Sequence, residues 1–484
     1  MGVTTVNWQG RFAILGWGVS GKASAHALVK RGAQLCAFDG RAREDDQSEN
    51  DANVEFVSEA DSDALAQEVI DWKPDCIVVS PGIPAHHPIF STAATSGIEL
   101  IGEVELAWRL QEDSEHAGRP WLCVTGTNGK TTTVGMLGAM LRAAGENAVE
   151  VGNIGLPICE AIDTDATVFA VELSSFQLHT VSTVSPLASV CLNVDADHLD
   201  WHGSAQAYAA DKAKVYHLTQ KACFYPASDI TVENMVAEAD VVEGARAIGL
   251  TLGIPSISQV GWVEDALVER AFVEKRHMQA QFLAEVDDLR VAYHDGVTDA
   301  ARMDATAAAG LARAFGVPPE AVAQGLRSFT PAHHRRAVIS HAADVTWIDD
   351  SKATNAHAAV ASLSGITPGT AVWIAGGDTK GQEFGDLVAR VAPLLRGVVV
   401  IGKDRSAIVN ALRQCAPQIP FVEVDGHEDW MFSVVNEAVA LSRPGDTVVL
   451  APACASWDQF RSYAQRGDVF RDAVKRLEAN WAAQ

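Results

Sequence analysis

One stretch, from Trp121 to Gly145, restricts the possible folds of this chain more than any other. It begins with the apolar run Trp121–Val124, continues through a glycine-rich turn at Gly126–Gly129, and ends in helix-forming residues that stop at Gly145. The apolar run predicts a buried parallel strand, so the order strand, loop and helix predicts an α/β fold. A glycine-rich turn that opens a helix directs backbone N–H groups and the positive end of the helix dipole at one point, which stabilises a bound polyphosphate.

The side chains of this loop favour ATP or GTP as the ligand. Lys130 is placed to reach the terminal phosphates, and Thr131 offers its hydroxyl to a magnesium ion. The usual eight-residue pattern has a glycine where this chain has Val124, so this loop is shorter than the common form. An ordinary strand-to-helix turn with a chance Gly-Lys-Thr is the alternative interpretation.

The length and charge of the chain limit its organisation and its partners. Its 484 residues are enough for roughly three domains. The 62 acidic residues exceed the 37 Lys and Arg residues and give a net charge of −25, which argues against nucleic acid or an anionic membrane surface as a partner. Eight cysteines without Cys-x-x-Cys spacing predict reduced thiols. Since no apolar run approaches the roughly 18 residues that span a bilayer, and the N-terminus has no apolar signal region, we expect a cytosolic protein.

The first domain carries a second glycine pattern. A complete G-x-G-x-x-G, from Gly16 to Gly21, follows a short apolar strand and opens a helix, and the next strand ends at Asp39, about where a ribose hydroxyl would bind. A further strand ends in the rigid loop 80–84, at the sheet edge where open α/β sheets bind ligands. The glycines permit close approach of a pyrophosphate but do not identify the nucleotide, so a nicotinamide cofactor and a purely structural turn both remain possible. The polar, acidic segment 111–120 marks the first linker.

Two further predicted strands end near the phosphate loop. Thr167–Val171 is followed by Glu172, and Ala188–Val194 is followed by a polar segment that contains His198. Because the carboxyl ends of neighbouring parallel strands meet at one edge of a sheet, we expect Glu172 and His198 to face the loop. A carboxylate and an imidazole suit magnesium, although Asp and His also cap helices and turns.

Four segments together resemble the Mur ligases of bacterial cell-wall synthesis, which are relatives of folylpolyglutamate synthase. They are GTNGKTTT from residue 126, GNIG from residue 152, ELSSFQL from residue 172 and DHLDWHG from residue 197. In that family the shortened loop holds ATP. The resemblance implies three α/β domains: an N-terminal Rossmann-like domain for a UDP-linked substrate at 1–117, a central P-loop ATP-binding domain with a mostly parallel sheet at 118–328, and a C-terminal Rossmann-like domain for an amino acid at 329–484.

The resemblance changes the interpretation of one lysine. Composition alone predicts that Lys212 and Lys214 are solvent-exposed. The pattern Y-x-x-x-K-x-x-x-Y, which begins at Tyr208, is similar to the family segment that carries a carbamylated lysine, and this implies that Lys212 is modified. An ammonium group would repel a magnesium ion, whereas a carbamate is an anion that can bridge to it.

Family motifs assign further site residues by resemblance. Magnesium is implied at Thr131, Glu172, His198 and Lys212, and the last three form the implied catalytic set with Lys130. ATP binding is implied at Gly126, Thr127, Asn128, Gly129, Lys130, Thr131, Thr132, Arg335 and Asp350. The UDP-linked substrate is implied at Gly18, Val19, Ser20, Asp39, Arg41, Ser80, Asn153, Ser174 and Gln177. D-Glutamate is implied at Lys380 and Tyr463, with Thr354 or Ser456 as a further carboxylate contact.

The last third of the chain departs from the family at one point and matches it at others. The predicted helix Ala300–Phe315 lies where the family carries an adenine-contacting His-Asn-x-x-Asn. Both asparagines of that motif are absent from this chain, and Asp304 stands in place of the second one. The basic segment that contains Arg335 marks the hinge into the third domain, near Phe329, and a basic linker on an acidic protein is the alternative interpretation. Polar ends of three predicted strands then follow, at 347–355, 372–381 and 448–460.

The run from Pro452 to Phe470 resembles the branch of the family that adds D-glutamate to UDP-N-acetylmuramoyl-L-alanine. It implies an ATP- and magnesium-dependent amide-forming ligase of cytoplasmic peptidoglycan precursor synthesis, which acts through an acyl phosphate. The partners are then small molecules, with no nucleic acid or membrane, and we expect a monomer. A folylpolyglutamate synthase-like ligase, an NAD-dependent oxidoreductase and a nucleotide-gated switch are the alternatives.

Overall fold

Three β-sheets organise the described residues in the computed structural model of this protein. The structure describes residues 7–41, 54–195, 197–293, 296–426 and 429–482. The chain divides into two compact units, Met1–Asp288 with Arg302–Phe329, and Leu289–Ala301 with Thr330–Gln484. Two of the sheets lie in the first unit and the third lies in the second unit. The predicted α/β class with three Rossmann-like or P-loop domains is confirmed.

The first sheet has five parallel strands in the order β3-β2-β1-β4-β5. This is the doubly wound order, so the first turn of the sheet lies at the switch point where ligands bind. The strands are β1 Arg11–Leu15, β2 Gln34–Asp39, β3 Glu55–Ser58, β4 Cys76–Val79 and β5 Glu99–Gly102. The helices are α1 Val19–Val29, α2 Ser62–Asp71, α3 Ile89–Ser96 and α4 Glu103–Glu112.

The second sheet has nine strands in the order β14-β13-β12-β11-β10-β9-β6-β8-β7, parallel except for β12–β13 and β13–β14. Its strands are β6 Trp121–Thr125, β7 Ala148–Gly152, β8 Val168–Glu172, β9 Ala188–Cys191, β10 Ala222–Pro226, β11 Arg246–Leu250, β12 Gln259–Val263, β13 Ala266–Glu269 and β14 Gln281–Glu285. Its helices are α5 Lys130–Ala143, α6 Ile158–Ala161, α7 Ser175–Leu178, α8 Leu199–His202, α9 Ala205–Ala213, α10 Ile230–Ala237, α11 Val286–Arg290, α12 Asp299–Phe315 and α13 Pro319–Ser328.

The third sheet has six strands in the order β15-β16-β20-β17-β18-β19, parallel except for β15–β16. Its strands are β15 Ala337–Ser340, β16 Thr346–Asp349, β17 Ala371–Gly376, β18 Leu395–Ile401, β19 Phe421–Glu423 and β20 Thr447–Leu450. Its helices are α14 Ala356–Leu363, α15 Gly385–Val391, α16 Ser406–Cys415, α17 Trp430–Leu441 and α18 Tyr463–Ala482.

The strand before the phosphate loop is buried because it lies inside the second sheet. β6 pairs with β8 on one side and β9 on the other, and all five of its residues are buried. A strand covered on both faces needs a continuous apolar run, which is the pattern of Trp121–Val124. α5 then begins at Lys130, as the sequence predicts.

The structure corrects two local predictions and adds one feature that was not predicted. Glu172 is the last residue of β8 rather than the residue after it, and β9 ends at Cys191 rather than Val194. Beyond β12 the sheet continues in antiparallel pairs, which the sequence pattern does not predict. The predicted boundaries at residues 117 and 328 stay predictions, and the structure places α4 and α13 shortly before them.

Two wider expectations concern thiols and membranes. Each of the eight cysteines lies in the described ranges and is free, and Cys415 alone is exposed. Within the described ranges, none of the helices combines the length and the apolar character that crossing a membrane requires.

The packing of α13 on α5 provides a stability test. A Cβ atom on Gly325 would lie 2.5 Å from the Cα atom of Met140, so Gly325→Ala forces two helix backbones apart. We expect this change to lower the free energy of unfolding by about 1–3 kcal/mol, measured by urea denaturation.

Gly253→Ala is the matched control, because its Cβ would lie 3.8 Å from the nearest neighbour, Thr251 Oγ1. The control should change the free energy of unfolding by less than about 0.5 kcal/mol. Equal effects of the two substitutions would show that this helix contact is not tight.

Candidate active site

The phosphate loop has a backbone that glycine alone adopts without strain. Gly126 has a φ of 149° and Gly129 a φ of 86°. A Cβ atom on Gly126 would lie 3.0 Å from Leu192 Cβ, and one on Gly129 would lie 2.4 Å from Asp304 Oδ1. The turn is therefore held between the end of β9 and helix α12, with its N–H groups at the start of α5.

Residues that follow β9 fix the loop. The backbone N–H of Thr127 donates to the carbonyl of Asn193 (3.0 Å), and that of Asn128 donates to Asn193 Oδ1 (2.8 Å). The hydroxyls of Thr127 and Tyr208 are 2.9 Å apart. Contacts within the protein thus hold the loop in this shape, which lowers the cost of binding a ligand.

Two lysines converge on one carbonyl oxygen of the loop. Lys130 Nζ donates to the carbonyls of Gly126 (2.8 Å) and Thr127 (3.0 Å), and Lys212 Nζ donates to the same Gly126 oxygen (2.7 Å). Lys212 is only 1% exposed, so the compositional expectation of an exposed Lys212 is wrong. Burial, and secondarily the charge of Lys130, lower the pKa of Lys212 to about 7.

Glu172 presents a buried carboxylate next to the loop. It is 1% exposed and accepts hydrogen bonds from Thr131 Oγ1 (2.6 Å) and Asn153 Nδ2 (2.8 Å). Within the described residues it makes no ion pair. A buried carboxylate is costly without a counter-charge, and a hydroxyl beside a carboxylate provides the oxygen ligands that magnesium prefers. These residues fit a divalent cation.

His198 lies at the turn before α8. It adopts the left-handed conformation (φ 52°), its ring packs 4.8 Å from that of Phe176, and its Nε2 atom lies 3.7 Å from Asp197 Oδ2. Within the residues that the structure describes, no group of three or more His, Cys, Asp and Glu side chains forms a metal cluster. The predicted set contains only two such residues, so the role of His198 as a ligand stays a prediction.

The N-terminal glycine turn leaves room for a ligand at one position. A Cβ atom on Gly21 would lie 2.0 Å from the carbonyl oxygen of Gly16, whereas one on Gly18 would contact nothing within 4 Å. Ser80 Oγ donates to the Gly16 carbonyl (2.7 Å), which ties the loop after β4 to this turn. Val19, the first residue of α1, is 74% exposed and borders the open space.

Asp39, at the end of β2, is held as an anion. It accepts hydrogen bonds from the backbone N–H groups of Trp17 (2.8 Å) and Arg41 (2.9 Å). Burial alone would raise the pKa of Asp39, but these hydrogen bonds outweigh it and hold that pKa below its usual value.

Two of the predicted substrate residues also form hydrogen bonds with the backbone. Ser174 and Gln177 form a reciprocal capping box at the start of α7. Gln177 also lines a cleft in the first unit, between the ends of the first sheet and the loops of the second. The cleft residues are Val79, Ser80, Pro81, Ile83, Phe90, Gly102, Glu103, Phe176, Gln177, His179, Thr180 and Trp201.

In the second unit, the three predicted strand ends meet. The backbones of Asp378 and Ala455 exchange two hydrogen bonds of 2.9 Å, which joins the ends of β17 and β20. The guanidinium of Arg466, 1% exposed, donates to the carbonyls of Ser351 (2.8 Å) and Cys454 (3.1 Å). One buried cation thus ties the end of β16 to the end of β20.

The predicted amino-acid and nucleotide residues of this unit lie around that junction. Lys352 Nζ lies 4.0 Å from the ring centre of Tyr463, and Ser456 is buried. Lys380 has a positive φ of 49° in the loop after β17. Burial raises the pKa of Asp350 to about 6, although the charge of Arg335 acts against this.

Comparison with known proteins assigns the chain to a family. Residues 10–102 match the N-terminal domain of MurD-like Mur ligases, residues 124–249 the Mur ligase middle domain, and residues 334–454 the glutamate ligase domain of Mur ligases. The chain is 47% identical over 473 residues to the UDP-N-acetylmuramoylalanine--D-glutamate ligase of Streptomyces coelicolor, covering 96% of this chain and 98% of the relative. The chain belongs to the Mur ligase family.

A second relative supports this assignment, and one solved structure supports the fold. The Streptomyces avermitilis protein of the same name is 47% identical over 485 residues, which cover 98% of this chain and all of that protein. The MurF ligase of Thermotoga maritima in complex with ADP has a TM-score of 0.57 at 14% identity, covering 98% of this chain and 100% of that chain. It supports the fold of this Mur ligase.

The family prediction from the loop and its three companion segments is therefore confirmed. The roles of individual side chains stay predictions, because the comparisons match domains and whole chains. Sequence reasoning missed the contacts of Asn193 and Tyr208 with the loop of this Mur ligase. Tyr208 lies four residues before Lys212, on the same helix face, and that spacing is the signal that would have found it.

The lowered pKa of Lys212 gives a direct test. The neutral amine reacts with acetic anhydride, so acetylation of Lys212, measured by mass spectrometry in carbonate-free buffer, should reach half its maximal rate near pH 7. Lys130→Met removes a like charge and should move this midpoint to higher pH, whereas Lys22→Met should not. A midpoint near 10.5 in the wild type would contradict the buried position.

The lowered pKa of Lys212 also determines how the stability of the protein depends on pH. Between pH 7 and 10.5 the unfolded chain holds a proton on Lys212 that the folded protein has lost. The destabilisation from burying this amine is therefore fully present below pH 7 and fades as the pH rises towards 10.5.

Proposed function

We propose that this Mur ligase uses ATP to join D-glutamate to the L-alanyl carboxylate of UDP-N-acetylmuramoyl-L-alanine, in the synthesis of peptidoglycan precursors. The observation that carries the proposal is 47% identity along nearly the whole chain to proteins named UDP-N-acetylmuramoylalanine--D-glutamate ligase. The phosphate loop, the N-terminal glycine turn and the joined strand ends of the second unit supply one site for each of the three substrates.

The nucleotide binds at the loop Gly126–Thr132. Its backbone N–H groups and the start of α5 hold the phosphates, and Lys130, which folds onto the Gly126 carbonyl, extends to the terminal phosphates. Arg335 and Asp350 are the residues of the C-terminal domain that we propose as further nucleotide contacts. Asp304, beside Gly129, occupies the place of a family asparagine.

Thr131, Glu172, His198 and carbamylated Lys212 would hold magnesium. The bound ion would neutralise charge on the transferring phosphoryl group. The neutral Lys212 amine attacks carbon dioxide, a nitrogen–carbon bond forms, and the displaced proton leaves to solvent, which yields a carbamate anion. The lowered pKa supports this step, because about half of the amine is neutral near pH 7.

The reaction proceeds in two displacements. The L-alanyl carboxylate attacks the γ-phosphorus, ADP leaves, and an acyl phosphate forms. The D-glutamate ammonium group loses a proton to solvent, and the neutral amine attacks the acyl carbon. A carbon–nitrogen bond forms, phosphate leaves with the electrons of the carbon–oxygen bond, and the second amine proton passes to solvent. Lys130 stabilises the negative charge that develops in both steps.

Each remaining substrate binds at one of the other two sheets. The UDP portion of the acceptor lies on the turn Gly18–Ser20 and between Asp39, Arg41 and Ser80, and its muramoyl portion extends along the cleft towards Asn153, Ser174 and Gln177. In the second unit, the D-glutamate carboxylates bind through charge-assisted hydrogen bonds at Thr354, Lys380, Ser456 and Tyr463. We propose that the enzyme acts as a cytoplasmic monomer on these small molecules.

Phosphate release tests the proposed function. With ATP, magnesium and UDP-N-acetylmuramoyl-L-alanine, D-glutamate should release phosphate, whereas L-glutamate, L-alanine and a diamino acid should release less than about a hundredth as much, because the joined strand ends fix both carboxylates. Equal release with every amino acid, or dependence on a folate, would overturn the proposal.

The proposed metal site has its own test. Glu172→Gln keeps the shape but removes the charge, so the magnesium concentration for half-maximal phosphate release should rise about 10- to 100-fold. Glu150→Gln, on the neighbouring strand and paired with Arg142, is the control and should leave that concentration unchanged. An unaltered magnesium requirement in Glu172→Gln would exclude Glu172 as a ligand.

A further inference from the structure

One buried carboxylate in the central domain gathers three cationic or hydrogen-bonding partners. Asp211 is 5% exposed, and its Oδ2 atom lies 2.8 Å from His179 Nδ1 and 3.0 Å from His202 Nδ1. Its other oxygen accepts a hydrogen bond from Lys214 Nζ (2.9 Å). None of these four residues belongs to the predicted site. We call this group the Asp211 hub.

The hub extends to a serine in a familiar order. His202 Nε2 lies 3.0 Å from Ser175 Oγ, so serine, histidine and aspartate are connected as in a hydrolase triad. Ser175 and His202 are both buried, at 3% and 8% exposure, and the hydroxyl is closed to a substrate. The arrangement therefore holds structure in place rather than attacking a carbonyl.

The elements joined by the hub surround the phosphate loop. Ser175 starts α7, His202 ends α8, and Asp211 lies on α9. His179 caps the end of α7, and its backbone carbonyl accepts a hydrogen bond from Lys214 Nζ (2.6 Å). Three short helices, each too short to be stable alone, are thus fixed to one another by polar contacts.

Asp211 immediately precedes the lysine that reaches the loop. Successive residues on a helix point about 100° apart, so Asp211 faces α7 and α8 while Lys212 faces Gly126, to which its Nζ donates (2.7 Å). Tyr208, one turn earlier, bonds Thr127 of the loop (2.9 Å). Helix α9 is therefore held on two sides.

The opposite end of the hub borders the substrate cleft. The His179 ring lies among the cleft residues, 5.3 Å from Phe90 and 5.2 Å from Trp201 between ring centres. With Nδ1 bonded to Asp211, the Nε2 atom has no hydrogen-bond partner within the described residues. The hub therefore lies between the cleft and helix α9, whose Tyr208 and Lys212 contact the loop.

We propose that Asp211 is a positioning residue that sets Lys212 against the phosphate loop and ties this placement to the acceptor cleft through His179. The inference rests on the proposed function for the role of Lys212 and of the cleft. Because Asp211 acts through Lys212 and His179, its removal should lower turnover and weaken binding of the acceptor. The binding of D-glutamate should not change.

Asp211→Asn tests the hub, because an amide has one acceptor oxygen and a donor NH₂ group and cannot satisfy the three partners. We expect kcat to fall at least about tenfold and the KM for the acceptor to rise, with the KM values for ATP and D-glutamate within about twofold. The carbamyl ¹³C resonance of protein equilibrated with ¹³C-bicarbonate should weaken in parallel. Asp211→Glu, which keeps the carboxylate, should restore part of kcat.

Asp229→Asn is the matched control. Within the described part of the chain, Asp229 accepts hydrogen bonds from the backbone of α10 and exchanges none with the hub, so its variant should lose some thermal stability and keep its kinetic constants. Equal losses of kcat in the two variants, a rise of all three KM values in Asp211→Asn, or no recovery in Asp211→Glu would overturn the positioning role.

A substrate-free measurement separates this proposal from the proposed function. If the wild type releases no phosphate with D-glutamate, the proposed function fails, but acetylation of Lys212 in carbonate-free buffer still reports its placement. Asp211→Asn should then speed acetylation several-fold over Asp229→Asn at the same pH, and an unchanged rate would overturn the positioning role.

Discussion

The carbonyl oxygen of Gly126 is the point on which the active site depends. The side-chain amines of Lys130 and Lys212 both donate to it. The two amines can lie close together because burial lowers the pKa of Lys212 to about 7. The glycine backbone, the residues after β9 and helix α9 all keep this oxygen in place, and the carboxylate of Glu172 lies just beyond Thr131.

The sequence predicted the parts of this site that follow from local pattern. The buried strand β6, the glycine-rich turn that follows it and the start of α5 at Lys130 are set by neighbouring residues, and all are as predicted. Motif resemblance supplied the family and most candidate residues. Motif resemblance also identified the glycine turn after β1. Among the three motif glycines of that turn, only Gly18 has free space where a side chain would lie.

The remaining features depend on contacts between distant segments. Lys212 is polar by composition, and it is buried because its helix is pressed against a loop 86 residues away in sequence. The antiparallel strands after β11 lack strong alternation, so their register comes from pairing with neighbours rather than from their own pattern. The hydrogen bonds of Asp211 with His179 and His202 join three short elements whose arrangement no local rule specifies.

The backbone contacts of Arg466 have a consequence for the diversity of amino-acid ligases. This guanidinium holds two loops through their main-chain oxygens, which every amino acid possesses. Side chains on those loops can therefore be exchanged while the spacing between the loops persists. In a scaffold held by main-chain contacts, single substitutions in these loops can change which amine is accepted. The positions of the loops need not change.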